Sequence, residues 1–375
     1  MTAPERLAEM RRELRGLLVE RDEVVDGLLV ALLSGHHILL LGPPGTAKSM
    51  LARELVRRLE EARLFEWLLT KFTTPEELFG PPSLPALEAG RYERVTTGKL
   101  PEAEIAFLDE VFKANSAILN ALLSLLAERR FHQGTEAIRV PLETVVAASN
   151  ELPEEDELAA LYDRFLLRFT VGYVEQDHHL VELLTAPPPP EVPAATLSRA
   201  DLAELRASTA AIEVPSGVVE DLVELRRSLA AEGVVASDRR WRQSLDVLRA
   251  GAQLDGRSRV ETSDLRLLEH VLWTDPEELA KVRAAVTRVA GAGEEESKKL
   301  LAQAQEIQAY AKRPWPDEES RARALIEAHA KLDELRKRSE RLVGEARRRG
   351  RDARRLEAVK AQIGALQAGL LGTFN

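Results

Sequence analysis

The 375-residue sequence contains no cysteine, so disulfide bridges and thiolate metal sites are both excluded. Long apolar runs are also lacking. The runs at residues 27–33 and 38–41 are short and separated by Ser-Gly-His-His, well below the ~20 residues that a transmembrane helix needs. The first six residues lead into a charged helical stretch without the apolar core of a signal peptide. These absences predict a soluble protein of a reducing compartment, the cytoplasm.

Charge is distributed unevenly along the chain. Residues 281–375 carry 21 Lys and Arg against 14 Asp and Glu, whereas the rest of the chain carries 31 against 48. An acidic body disfavours loose binding to nucleic acid, while a basic tail can attract an acidic partner. With 45 % hydrophobic residues, the chain is long enough for two or three domains with their own cores.

A glycine-rich segment, Gly-Pro-Pro-Gly-Thr-Ala-Lys-Ser, follows the apolar run at residues 37–41 and precedes a helical pattern at residues 50–59. A strand, a glycine-rich turn, Lys-Ser and a helix together bind the phosphates of a nucleotide. Lys48 can reach the β and γ phosphates, and the Ser49 hydroxyl can ligate Mg²⁺. Ala47 replaces the usual glycine, which we expect to be tolerated if its φ is negative and helical. The loop residues are Gly42, Pro43, Pro44, Gly45, Thr46, Ala47, Lys48 and Ser49.

A second motif follows about 60 residues later, where the apolar residues 105–108 end in Asp109-Glu110. Asp109 can hold Mg²⁺ through its water, and Glu110 can polarise the water that attacks the γ phosphate. Alone, an apolar strand that ends in Asp-Glu is often an ordinary acidic turn. After a phosphate loop it indicates a hydrolytic site, because the two strands can be neighbours in one sheet.

Further polar residues follow the apolar strand at residues 144–149. Asn150 is placed to hydrogen-bond the γ phosphate or the attacking water, although an isolated Asn is also an ordinary turn residue. An arginine within residues 162–168 can play either of two roles. It can form a structural ion pair with Asp163, or it can reach the nucleotide of a neighbouring subunit and stabilise charge in the transition state. The sequence leaves both alternatives open.

Short apolar strands alternate with helical patterns through residue 170, which predicts an α/β fold with a parallel sheet. Strands are predicted at residues 64–72, 91–97, 105–108 and 144–149, with a hairpin at residues 130–140. A proline-rich connector at residues 186–193 precedes an all-α region. Three domains are predicted: an α/β core over 1–187, an α-helical lid over 188–275, and a helical C-terminal extension over 276–375. Breaks in the extension are predicted at residues 291–293 and 314–316 and near residue 350.

These motifs together resemble the AAA+ ATPases of the MoxR branch, and most closely the RavA subgroup. The resemblance covers roughly residues 5–275. The motifs that carry it lie at residues 42–49, 74–80, 90–94, 100–110, 148–154, 161–164 and 237–241.

The resemblance implies roles around one nucleotide. Val19 would lie against the adenine, and residues 42–49 would be the Walker A loop that binds ATP. Asp109 and Glu110 would be the Walker B pair, with Ser49 and Asp109 at the Mg²⁺. Asn150 would be the sensor 1 residue.

The resemblance implies further roles for three arginines and two segments. Arg164 would be the arginine finger that acts on the next subunit. Arg239 would be the sensor 2 residue, and Arg240 is the weaker candidate because the motif runs one residue longer here. Residues 72–97 resemble the helix-2 insert of the family, and residues 130–140 its pre-sensor hairpin.

The resemblance implies an AAA+ P-loop core with a helical lid, assembled as a hexameric ring. The implied function is a chaperone-like, ATP-hydrolysing remodeller whose partner carries a von Willebrand factor A domain. Lysine decarboxylase binding is not implied, because residues 276–375 contain no strand cluster. One alternative is a nucleic-acid motor or loader that uses the Arg-rich residues 345–355. The other is a scaffold that binds ATP without turnover.

Overall fold

Helices and strands both occur as far as residue 170, and the regular elements described beyond it are helices, with loops and isolated β-bridges between them. The computed structural model of the chain describes residues 1–134, 136–153, 156–186, 190–348 and 353–371. The strands are β1 His37–Leu41, β2 Leu64–Leu68, β3 Ile105–Asp109, β4 Arg130–Gln133, β5 Glu136–Arg139, β6 Thr144–Ser149 and β7 Phe165–Thr170.

The helices of the first half are short, and those of the C-terminal region are long. They are α1 Ala3–Leu17, α2 Asp22–Ser34, α3 Lys48–Val56, α4 Pro75–Phe79, α5 Leu84–Glu88, α6 Ser116–Glu128, α7 Asp156–Tyr162, α8 Asp177–Thr185, α9 Arg199–Ala211, α10 Ser216–Ala231, α11 Asp238–Leu254, α12 Leu279–Ala311, α13 Glu318–Arg348 and α14 Arg354–Leu371. None of the helices in the described residues is both long and apolar enough to cross a membrane.

Five strands form one parallel sheet in the order β2-β3-β6-β1-β7. The central strands β1 and β6 are buried along their whole length, which explains their uninterrupted apolar sequences. The sheet confirms the predicted α/β fold. The expectation that β1 and β3 are neighbours is wrong, because β6 lies between them. We call the end of the sheet where the strands finish its carboxyl edge, and the other end its amino edge.

The predicted strand at residues 91–97 is also wrong. This segment makes only an isolated antiparallel bridge, between Pro82 and Arg94. Two backbone hydrogen bonds flank the bridge, from Ser83 N to Glu93 O at 2.7 Å and from Val95 N to Pro81 O at 2.9 Å. Since Pro81 and Pro82 have no N–H to donate, a regular ladder cannot extend here. The predicted hairpin is confirmed as β4 and β5.

Contacts divide the chain into two compact units. The first contains residues 1–212, 236–258 and 270–272, and therefore includes the sheet, α9 and α11. The second contains residues 213–235, 259–269 and 273–375, and therefore includes α10 and the three long C-terminal helices. The domain boundaries at 187/188 and 275/276 stay predictions.

The second unit has its own apolar core, built by α12, α13 and α14. Leu300, Leu332 and Ile363 are among its fully buried members. The break predicted at residues 291–293 is wrong, because α12 continues through both glycines. A glycine costs a helix about 1 kcal/mol, which packing along a long helix can offset. The predicted break at residues 314–316 is confirmed, since α12 ends at Ala311 and α13 begins at Glu318.

Some predicted features extend outside the described residues. The proline-rich connector includes residues 187–189, and the Arg-rich segment and the predicted break near Gly350 include residues 349–352. Outside these gaps, α13 ends at Arg348 and α14 begins at Arg354.

Candidate nucleotide site

The phosphate loop connects the carboxyl end of β1 to the start of α3, in the arrangement that the sequence predicts. Its first residue is anchored at both sides. Gly42 N donates to Ser149 O at 3.0 Å, and the neighbouring Val171 N donates to Leu41 O at 2.7 Å. A Cβ at residue 42 would lie 2.0 Å from Val171 O, so only glycine fits there. The loop is thereby fixed against β6 and β7.

Lys48 begins α3 and its ammonium group turns back over the loop. Nζ donates to Gly42 O at 2.5 Å and to Pro43 O at 2.8 Å. Burial lowers the pKa of Lys48, and the carboxylates of Asp109 and Glu110 oppose that shift. Both carboxylates therefore lie close enough to the ammonium group to affect its pKa. The sequence predicts this proximity, because it assigns the three residues to one phosphate group.

Ala47 differs from its expected conformation. Its φ is +66° and its ψ is 19°, which is the left-handed region, whereas a negative helical φ was expected. An L-residue costs about 1–2 kcal/mol in this region relative to glycine. The phosphate loop thus keeps, at residue 47, the left-handed backbone conformation that glycine favours, although the residue is alanine. Thr46 supports the turn by donating from Oγ1 to Pro43 O at 3.0 Å.

Asp109 and Glu110 lie at the carboxyl end of β3, and Asn150 follows the neighbouring β6. The side-chain amide of Asn150 donates from Nδ2 to Glu110 Oε1 at 2.7 Å. Glu110 adopts a left-handed φ of +52°, and its N–H donates to Asp109 Oδ1 at 3.0 Å. The strand order 3-6-1 therefore brings the two acids, Asn150 and the phosphate loop to one edge of the sheet.

Sequence reasoning did not single out Lys113. Its Nζ lies 3.3 Å from Glu110 Oε2, outside hydrogen-bonding geometry, while that oxygen is buried without a hydrogen bond. The i,i+3 spacing of the two residues is the signal that indicates such a pair. Lys113 adds positive charge beside the predicted water-activating carboxylate.

Oxygen ligands for a divalent cation are present at this edge. The Ser49 hydroxyl is in the first turn of α3, and the Asp109 carboxylate is partly exposed at the end of β3. Hydroxyl, carboxylate and phosphate oxygens are the ligands that Mg²⁺ prefers, completed by water. Among the described residues, no group of three or more His, Asp or Glu is arranged so that it could hold a metal ion. The chain's donors therefore fit a nucleotide-bound Mg²⁺ better than a cage of protein ligands.

Val19 lies half-buried in the turn between α1 and α2. This turn is bound to the segment that follows β7: Arg21 Nη2 donates to Gly172 O at 2.6 Å. The Glu20 carboxylate accepts from the N–H groups of Glu175 at 3.0 Å and Gln176 at 3.1 Å. Val19 is thus held on the carboxyl side of the sheet, where the phosphate loop lies.

Arg164 lies at the other edge, immediately before β7. Because β7 has six residues and rises about 3.3 Å per residue, about 20 Å of strand separate it from the phosphate loop. Its Nε is buried without a hydrogen bond, and its guanidinium has no side-chain partner in the described part of the chain. The structure does not bring Arg164 to the phosphate loop of its own chain.

Arg239 and Arg240, at the start of α11, share one acceptor beside Arg164. Arg239 Nη2 donates to the backbone and the carboxylate of Asp163. Arg240 Nε donates to the same carboxylate at 3.1 Å. Asp163 is therefore paired with these two arginines and not with Arg164. Neither of them lies at the loop of its own chain.

The two arginines differ in exposure. Arg240 is 2 % exposed and donates three further hydrogen bonds to the backbone oxygens of Phe165, Leu166 and Val271. Burial is the main cause that lowers its pKa. The Arg239 side chain keeps 38 % of its surface exposed. Of the two, Arg239 is the residue that can reach another molecule.

Comparison with known proteins gives a consistent assignment. The family model for the MoxR domain in the MoxR-vWA-beta-propeller ternary systems matches residues 5–205, and an AAA lid domain model matches residues 217–286. The chain belongs to the MoxR family of AAA+ ATPases. This confirms the resemblance at the family level.

Individual relatives differ in how much of this chain they match. An uncharacterized protein of Methanocaldococcus jannaschii is 40 % identical over 284 residues, covering 76 % of this chain and 75 % of the relative. The chaperone MoxR1 of Mycobacterium tuberculosis is 29 % identical over 183 residues, covering 47 % of this chain and 48 % of MoxR1. A crystal structure from Cytophaga hutchinsonii has a TM-score of 0.62 at 20 % identity, covering 76 % of this chain and 94 % of that one, and supports the fold.

Proposed function

We propose that this MoxR-family protein hydrolyses ATP at sites completed between subunits of a ring, and uses the cycle to remodel a protein partner. The observation that carries the proposal is the separation of two groups of polar residues. Lys48, Asp109, Glu110 and Asn150 meet at the carboxyl edge, whereas Arg164 lies about 20 Å away along β7. Because the two groups of residues are out of reach of each other in one chain, their separation supports sites that are completed by a second copy.

Each residue at the carboxyl edge has a proposed task. Lys48 would exchange its bonds to the loop carbonyls for bonds to the β and γ phosphates. Glu110 would orient the attacking water and accept its proton, and Asn150 would hold Glu110 in place. Mg²⁺, held through Ser49 and Asp109, would offset the charge of the phosphates.

The arginine group would act on the neighbouring subunit. Arg164 would stabilise the charge that develops on the γ phosphate, a contribution of about 10³- to 10⁵-fold in related phosphoryl transfer. Arg239 would assist as the sensor 2 residue. Its support is its partial exposure beside Arg164, which the buried Arg240 lacks.

We further propose that the partner carries a von Willebrand factor A domain, which the description of the matching family supports. Within the family we place the chain nearest the RavA subgroup, on the seven motifs that carry the resemblance. Adenine would contact Val19. The segment 72–97 and the hairpin 130–140 would transmit nucleotide-driven motion to the partner.

The deciding experiment is steady-state ATP hydrolysis per subunit over a wide range of protein concentration, with Mg²⁺ present. A steep rise with concentration, in step with assembly measured by light scattering, would support sites completed between subunits. A constant rate from a monomer at every concentration would contradict them. Stimulation by DNA that is sensitive to salt and lost on neutralising Arg347 would instead indicate a nucleic-acid motor.

A further inference from the structure

A second polar pocket lies at the amino edge of the sheet, away from the phosphate loop. Its volume is about 320 Å³, which is at the small end of the range for ligand pockets. Glu104 and Glu143, which line it, directly precede β3 and β6, and Gly35 lies just ahead of β1. Arg199 and Arg206 of α9 form another side. The same three strands run from this pocket to the nucleotide edge.

Positive charge exceeds negative charge in the pocket. Four arginines and two glutamates line it, which leaves a net charge of +2 in a chain whose net charge is −10. The arginines are Arg129, Arg139, Arg199 and Arg206. A doubly charged anion would balance the excess, and the planar fork of arginine suits the oxygens of phosphate or carboxylate groups.

The two glutamates are already occupied and hold the arginines of α9 in position. Glu104, which is 4 % exposed, is ion-paired with Arg199 and with Arg63 at 3.1 Å. It also accepts from Arg63 N at 2.8 Å. Glu143 is ion-paired with Arg206. Because both carboxylates have close arginine partners, they leave the other two lining arginines under-compensated.

Arg129 lies against the pocket at the end of α6. Its Nη2 donates to Gly35 O at 2.8 Å and to Glu143 O at 3.2 Å, which are neutral acceptors. Burial and the charge of Arg206 lower the pKa of Arg129 to about 10. An anion in the pocket would relieve this repulsion.

The second terminal nitrogen of the Arg129 guanidinium, Nη1, faces the ring of His37. Val145 N donates to His37 Nδ1 at 3.0 Å. Burial lowers the pKa of His37 well below 6.5, so the ring is neutral and carries its hydrogen on Nε2, toward Leu126 O at 3.2 Å. Arg129 Nη1 lies against this Nε2 atom.

Arg139 supplies a free cation at the mouth. It ends β5 and is exposed, and its side chain has no hydrogen-bond or ion-pair partner within the described ranges. Its cross-strand neighbour in the hairpin is Arg130, which does not line the pocket. The two residues are a matched pair for a test.

We propose that this pocket binds a small phosphate-bearing molecule, with Arg129 and Arg139 as its direct ligands and Arg199 and Arg206 at its wall. A phosphate dianion matches the net charge of the lining, and the pocket is large enough for a phosphate with a small organic group. The site is separate from the phosphate loop.

The test is calorimetric titration of inorganic phosphate into the full-length Lys48→Ala protein. That substitution removes the ammonium group of the phosphate loop, so failure here and failure of the proposed ATPase function are distinguishable. We expect one phosphate per chain, bound about tenfold more weakly after Arg139→Gln and equally well after Arg130→Gln. Circular dichroism checks that both variants fold.

Several results would overturn the assignment. These are an absence of phosphate binding to the Lys48→Ala chain, an equal loss of phosphate affinity in both arginine variants, or an unchanged affinity after Arg139→Gln. A parallel titration with succinate separates the two oxyanion chemistries. Tighter binding of succinate than of phosphate would reject a phosphate ligand.

Discussion

Asn150 holds Glu110 by a hydrogen bond from its amide Nδ2 to the carboxylate Oε1, at 2.7 Å. The other oxygen, Oε2, is buried and accepts no hydrogen bond. The carboxylate is therefore fixed at one oxygen, and its second oxygen lies 3.3 Å from Lys113 Nζ. The bond joins the ends of two adjacent strands, β3 and β6, so the sheet itself sets the distance between the two side chains.

Glu110→Gln removes the proton acceptor while keeping the shape of the side chain. We expect turnover of ATP to fall by about 100- to 10,000-fold, with ATP binding retained. Hydrolysis under steady-state conditions and binding of a fluorescent ATP analogue measure the two effects. Glu128→Gln, an exposed change at the end of α6, is the control. Turnover that is unchanged in Glu110→Gln would remove this residue from its proposed role.

Arg164→Ala leaves the phosphate loop intact, because the arginine lies at the other end of β7. We expect normal ATP binding and a loss of hydrolysis of about a thousandfold. Mixing this variant with Lys48→Ala subunits would restore some sites, because each variant supplies the half that the other lacks. Subunits with both substitutions are the control and would rescue neither. Absence of rescue in the single-variant mixture would argue against action between subunits.

The variants Arg239→Ala and Arg240→Ala distinguish a residue that reaches another molecule from one that stabilises the fold. Arg240 is buried and bonded to Asp163 and three backbone oxygens, so its removal would lower the free energy of unfolding by about 3 kcal/mol. Arg239→Ala would leave stability nearly unchanged and reduce turnover. Urea denaturation and ATP hydrolysis on both variants provide the comparison. The opposite assignment of the two effects would make Arg240 the sensor 2 residue.

Ala47→Gly would stabilise the protein. Since Ala47 has a φ of +66°, glycine removes a left-handed penalty of about 1 kcal/mol. The matched control is Ala52→Gly within α3, where glycine is expected to destabilise the helix by about 1 kcal/mol. Thermal unfolding measures both changes. A lower melting temperature for Ala47→Gly would show that the loop gains nothing from glycine.

Glu20 gives a pH-dependent contribution to stability. Its carboxylate accepts from Glu175 N, and also from His179 and Gln176 N, which lowers its pKa from the ordinary 4.5 to about 2. A folded-state pKa below the unfolded one gives stability that is present above about pH 4.5 and lost as the pH falls toward 2.

We therefore expect Glu20→Gln to lower the free energy of unfolding at pH 7 and to have a smaller effect at pH 3. Urea denaturation of both proteins at the two pH values measures the difference. Glu128→Gln, at a residue with no such partners in the described part of the chain, should give the same small change at both pH values. If Glu20→Gln lowered the free energy of unfolding by the same amount at both pH values, the charge of Glu20 would have no role in stability.

The phosphate loop and the Asp109-Glu110 pair were predictable, because each is recognised from residues that are adjacent in the sequence. A glycine-rich turn between an apolar strand and a helix, and an apolar strand ending in Asp-Glu, are patterns of neighbouring residues. The hairpin at residues 130–140 was predictable for the same reason. The incorrect predictions needed information from elsewhere in the chain. The strand predicted at 91–97 does not form, because the segment that it bridges contains prolines. Helix α12 continues through its glycines because long-range packing supports it.

The sequence by itself determined the family, the phosphate loop, the Asp109-Glu110 pair and the α/β alternation, because each depends on residues close together along the chain. Only the tertiary structure decided that β6 separates β1 from β3, which places Asn150 beside Glu110. It also decided that Asp163 pairs with Arg239 and Arg240, and that Arg164 lies a strand's length from its own phosphate loop. The ion pair of Asp163 with Arg240, for example, joins residues 77 positions apart. These relationships follow from strand order and packing, which no local pattern encodes.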